Sequence, residues 1–83
     1  MDYFKYNNRV FKINQMYKHF KGNVYRIKSF SIHTESGEVL VNYTNTEDDG
    51  VQYARPLKMF AEKVDVNKYP QSGQAFRFEL IEE

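Results

Sequence analysis

Apolar residues in this chain recur at every second position over short runs, the period of a half-buried β-strand. Phe11 and Ile13 alternate with Lys12 and Asn14, and Met16 to Phe20 predicts a short strand. Lys21-Gly22-Asn23 follows as a hairpin turn, because Gly22 takes positive φ without a Cβ clash and Asn23 tolerates it. Val24 to Thr34 is the longest candidate strand. Within it Tyr25 and Ile27 share one parity, while Phe30 and Ile32 share the other. The switch near Ser29 predicts a bulge or sharp bend. Thr34 to Glu38 reads as a turn with Gly37 left-handed. Val39, Val41 and Tyr43 then alternate with Leu40, Asn42 and Thr44.

The second half is more broken. Asn45 to Gly50 is polar, acidic and glycine-terminated, which predicts an exposed loop tip. Val51 and Tyr53 resume the alternation, and Arg55 should be extended because it precedes Pro56. Pro56 suits the start of a helix, but Leu57, Met59 and Phe60 support only a turn or two. Ala61 to Val66 is ambiguous, with Val64 and Val66 favouring strand. Asn67 to Gln74 is a loop, and Phe76, Phe78 and Leu80 alternate with Arg77, Glu79 and Ile81 in a final strand. The pattern predicts an all-β domain, a small closed or partly open barrel over residues 11–83 with one helical turn near Pro56 to Phe60. Residues 1–10 are polar and aromatic without strand alternation and predict an N-terminal arm.

Composition narrows the setting. With 83 residues the chain is one domain with a small core. Seven Tyr and seven Phe are more rings than such a core hides, so some Tyr should be exposed or at an interface. Exposed rings and strand edges make a homodimer as reasonable as a monomer. The net charge of +1 gives no global pull toward nucleic acid or membrane, so any such partner must use a local patch. Absence of cysteine excludes disulfides and thiolate metal sites and suits a reducing cytoplasm. No apolar run approaches a membrane span, and no secretion signal opens the chain.

Candidate chemistry concentrates between Tyr17 and Arg26. Tyr17, Lys18, His19, Lys21, Tyr25 and Arg26 combine rings with cations, and Tyr53 and Arg55 add one of each. Stacking rings beside guanidinium and ammonium groups are what a nucleotide-like molecule or short single-stranded nucleic acid requires. The competing structural reading puts Tyr17, Phe20 and Tyr25 in the core and makes the lysines a solvated edge. Arg55 would then be a packed stem paired with Glu62 or Asp65. Protein interaction through an aromatic groove is the alternative function. An enzyme using His19 or His33 is a second alternative, although no nucleophile, base and orienting group are spaced for it. The two histidines lack ligand spacing, so neither metal nor cofactor is expected.

Three blocks carry a resemblance. Tyr17-Lys18-His19-Phe20-Lys21-Gly22-Asn23 with Tyr25 forms the first. His33, Glu35, Glu38 and Val41 in the hairpin from His33 to Tyr43 form the second. Arg55-Pro56-Leu57-Lys58-Met59-Phe60 with Glu62 and Val64 forms the third, and Phe76 and Phe78 resemble a closing aromatic strand. Over roughly Met16 to Leu80 the chain resembles a small bacterial family known only as a domain of unknown function, number 1653 in that series. The resemblance implies an SH3-like β-barrel of about five strands from a bacterium or its phage, and it transfers no catalytic residue. The first ten residues have no counterpart in that pattern. Ser and Thr are exchanged in His33-Thr34-Glu35-Ser36, and Asn45 to Gly50 replaces an aromatic-rich segment.

Overall fold

The computed structural model describes residues 2–82. Among them seven strands and one helical turn are formed: β1 (Tyr3–Tyr6), β2 (Arg9–Lys12), β3 (Met16–His19), β4 (Val24–Ile32), β5 (Val39–Asn45), β6 (Asp48–Pro56), α1 (Leu57–Phe60) and β7 (Phe78–Glu82). The all-β class and the helical turn match the alternation, with Pro56 capping α1 rather than occupying its first turn.

Closure differs from the expected barrel. The main sheet is antiparallel with order β6-β5-β4-β3-β7, so β6 and β7 are its edges and no ladder joins them. Its bend lies where the parity switches: Ile27 pairs with Tyr43 and Ser29 with Asn42, leaving Lys28 extra. Both Ile27 and Phe30 are therefore buried. Glycine conformations follow the turn chemistry, with Gly22 at φ 115° and Gly37 at φ 75°.

The expected arm pairs with the residues after it as a hairpin, and β2 runs across the boundary expected at residue 10. Tyr3 pairs with Lys12 and Tyr6 with Arg9 across a two-residue turn. Asn7 and Asn8 both take positive φ there, at 48° and 66°, the backbone that a two-residue hairpin demands. This hairpin caps the core. Phe4 meets Phe30 edge-on at 5.1 Å, and fully buried Phe11 stacks on Tyr17 at 5.6 Å. Arg9 donates to the carbonyls of Ala61 (3.3 Å) and Phe78 (2.8 Å), tying the hairpin to the chain's C-terminal part.

The core is mostly rings. Phe60 from α1 stacks on Phe78 at 4.1 Å and meets Phe11, Tyr17 and Tyr43 edge-on. Leu57 and Phe60, three apart, present the same face of α1 to it. Gln15 is buried but satisfied: its Oε1 accepts from the Lys12 N–H and the Tyr17 hydroxyl, both at 2.8 Å.

Two segments depart from expectation. The acidic tip is tighter than predicted, because only Thr46 and Glu47 lie between β5 and β6. Thr44 pairs with Gln52 while Asn45 pairs with Asp48, so Asp49, Gly50 and Val51 bulge out of an edge strand. Such a bulge blunts the edge against further pairing. Residues 61–66 form no strand. Lys63 makes one isolated bridge to Phe76, Val64 is buried and Val66 is 66% exposed.

Candidate functional site: an aromatic face edged by cations

Strand periodicity and register build this site. Tyr17 and His19 point to one face of β3, as Tyr25 and Ile27 do on β4 before the bulge. Val41 and Tyr43 share that face on β5, and Tyr53 and Arg55 share it on β6. Register then sets Tyr53 beside Tyr43 and Phe78 beside His19. Toward α1 the face is sealed by Phe11 and Phe60, which bury Tyr17. At the other end His19, Tyr25 and Arg55 are half-buried, and Tyr53 is 45% exposed.

The rings there are in contact across all five strands. Tyr43 lies 5.7 Å from Tyr53, 5.3 Å from Tyr25 and 5.7 Å from Phe78. Tyr25 stands nearly perpendicular to Tyr53 at 6.3 Å and lies 5.8 Å from Phe78. His19 packs edge-on against Phe78 at 4.8 Å and against Tyr25 at 6.3 Å. The Tyr25 hydroxyl accepts from Asn23 Nδ2 at 3.4 Å.

Cations edge this row. Arg55 Nε donates to the Tyr43 hydroxyl at 3.2 Å, and its guanidinium carbon lies 5.7 Å from the Phe78 ring centre. Among the described residues no carboxylate lies within ion-pair distance of Arg55. Glu62 instead pairs with Arg77 at 3.4 Å. Burial holds the His19 pKa below its ordinary value, and the charges of Arg55, Lys21 and Arg77 push the same way. Its Nδ1 accepts from the Lys21 N–H at 3.2 Å, so the neutral ring carries its proton on Nε2. Beyond His19, Phe20 meets Tyr69 at 4.8 Å, and the Lys21 and Lys68 ammonium groups lie 5.4 and 5.5 Å from the Tyr69 ring. Burial raises the Tyr69 pKa, but Lys21 and Lys68 outweigh it and leave a net lowering.

The expected residues are thus split. His19, Tyr25, Tyr53 and Arg55 converge, and Lys21 stands beside them. Tyr17 is core, with its hydroxyl on Gln15, so it offers no stacking surface. Lys18 and Arg26 point to the opposite face; Arg26 Nη1 donates to the Asn14 carbonyl at 2.6 Å. Arg55 pairs with neither Glu62 nor Asp65. Tyr43 and Phe78 are members of the row that sequence clustering misses, although each shares strand parity with a recognised core residue. His33 follows the far end of β4, where its Nδ1 accepts from the Glu35 and Ser36 N–H groups and holds its own turn. Among the described residues no group of three or more acidic or histidine side chains is placed to hold a metal ion. No helix among them is long and apolar enough to cross a membrane.

An all-β domain with one open, cation-edged aromatic face is the class that this geometry defines. The chain belongs to the family described as protein of unknown function (DUF1653), whose model matches residues 15–80. The matched stretch holds β3 to α1 and the aromatic face, whereas the β1–β2 hairpin precedes it. No curated protein matches the chain, and no solved structure matches it.

Proposed function

We propose that this domain is a non-enzymatic binding module for an anionic ligand bearing a flat ring, a nucleotide-like molecule or a short single strand of nucleic acid. The observation that carries the reading is Arg55: a cation without a carboxylate partner, fixed by Tyr43 at the edge of a face that exposes Tyr53 and leaves Tyr25 half-buried. Tyr53 and Tyr25 stack a base, Arg55 takes phosphate, and Lys21 adds a second positive group near His19. The overall charge of +1 favours a small or single-stranded anion over long duplex. The bent sheet with a helical turn before its last strand is, on this reading, an open SH3-like barrel. A cysteine-free chain suits the cytoplasm of a bacterium or its phage.

Calorimetric titration with adenosine monophosphate and with a short oligothymidylate tests the proposal. Binding should weaken steeply with salt and in both Tyr53→Ala and Arg55→Ala, while circular dichroism stays unchanged. Affinity indifferent to both substitutions would remove the face from the account.

A further inference from the structure

A concave surface separate from the aromatic row lies on the side of α1 that carries Met59, away from buried Phe60. The β1–β2 turn, α1 and the segment after it enclose a hollow of about 650 Å³. Tyr6, Met59 and Phe76 supply its apolar wall, and Arg9, Lys58 and Lys63 its cations. Met59 is 40% exposed although it belongs to the only helical turn among the described residues. A smaller hollow of about 140 Å³ adjoins it, sharing Tyr6 and Lys58 and lined otherwise by Glu38, Val39 and Leu57.

Charge in this groove is unbalanced. Of its two acids, Glu38 is taken by Lys58 at 3.2 Å and Glu62 by Arg77 at 3.4 Å. Arg9 and Lys63 have no carboxylate within ion-pair distance among the described residues. Arg9 is held on the floor, 4.1 Å from the Phe76 ring centre and bonded to two carbonyls, which use two of its five N–H groups and leave its charge in place. A partly desolvated cation over an aromatic wall, with a free lysine beside it, complements negative charge. The adjoining hollow, mainly apolar, has the size of one large side chain.

We infer that this groove docks an acidic peptide segment of a protein partner, seating one bulky apolar side chain between Tyr6, Val39 and Leu57. Carboxylates of the segment lie along Arg9 and Lys63, and Met59 adapts to the apolar part of its backbone and side chains. This surface shares no lining residue with the aromatic row.

The test is a nitrogen-15 NMR titration of the full chain with a blocked acidic nonapeptide carrying one central leucine. Two controls are its glycine-for-leucine counterpart and a lysine-for-acid counterpart. The amides of Asn7, Met59, Lys63 and Phe76 should shift, and those of Tyr25 and Tyr53 should not. Lys63→Glu should weaken the complex by about fivefold or more, through like-charge repulsion. Met59→Glu, on an exposed side chain, should weaken it while the spectrum stays dispersed. The inference is overturned by any of four results: no saturable shifts, equal response to the lysine peptide, affinity unchanged in both variants, or the same amides answering an oligothymidylate instead. A null nucleotide titration at Tyr53 would leave these results untouched, so the two readings fail separately.

Discussion

Arg55 Nε donates to the Tyr43 hydroxyl across 3.2 Å, joining a half-buried guanidinium to a ring that is otherwise core. Tyr43 thereby does two things: its ring fills the centre of the row, and its polar tip fixes where the cation stands. Tyr43→Phe keeps the ring and removes the bond. It should cost about 0.5–1.5 kcal/mol in urea denaturation. Binding of adenosine monophosphate should weaken as well, because Arg55 is no longer pre-positioned.

The exposed and buried rings of the row should separate cleanly on substitution. Tyr53→Ala should lower stability by about 1 kcal/mol or less, since much of the ring already faces water. Its effect on a stacked base should be larger, on the order of 1–3 kcal/mol. Phe78→Ala, by contrast, removes a fully buried ring stacked on Phe60 and should cost about 3–5 kcal/mol. Denaturation curves for the two variants, set beside calorimetry for Tyr53→Ala, check the ordering. Equal stability losses would mean that the open end of the face is really core.

Much of the sheet was legible in the sequence. The parity switch around Ser29 gave the bulge at Lys28, and Gly22 and Gly37 marked turns whose positive φ they now adopt. The hairpin of residues 3–12 was less legible. Tyr3, Phe4 and Tyr6 lack strict alternation, and the turn rests on Asn7 and Asn8, whose positive φ no glycine announces. The site was half legible for a geometric reason. Lys18 is next to His19, and Arg26 next to Tyr25, but neighbours in a strand point to opposite faces. Periodicity therefore places these cations away from the rings beside them in sequence. What periodicity cannot supply is register: nothing in the chain shows Tyr43 opposite Tyr53 or Phe78 opposite His19 until the strands pair.

The N-terminal hairpin should be part of the folding unit although it precedes the family-matched stretch. Arg9 lies between the Phe11 and Phe76 rings, at 4.8 and 4.1 Å from their centres, while donating to two carbonyls. Arg9→Ala leaves those carbonyls unpaired and the rings uncovered, at a cost on the order of 2 kcal/mol. Arg9→Lys should recover only part of this, because an ammonium cannot reproduce the planar fork. Deleting residues 1–8 should lower the melting temperature further by removing the contact of Phe4 with Phe30. A truncated protein as stable as the full chain would return these residues to the status of an arm.

His19 makes stability depend on pH in a direction that its surroundings fix. Burial first, then Arg55, Lys21 and Arg77, disfavour the imidazolium in the folded state. The folded pKa therefore lies below the unfolded value of about 6.5. Between the two values the unfolded chain binds the proton and the folded chain does not. Proton binding therefore stabilises the unfolded state relative to the folded one as pH falls. Stability from this group is fully present above about pH 6.5 and is lost progressively as pH drops to the folded pKa. Below the folded pKa both states are protonated and the loss is complete. His19→Gln should flatten this part of the profile, measured by urea denaturation across the acid range at constant ionic strength. Arg55→Ala offers a second check, because deleting a neighbouring positive charge should move the His19 titration upward in NMR. A His19 resonance that titrates at the same pH with and without Arg55 would show that the guanidinium does not face the ring row. The proposed phosphate contact would then lose its basis.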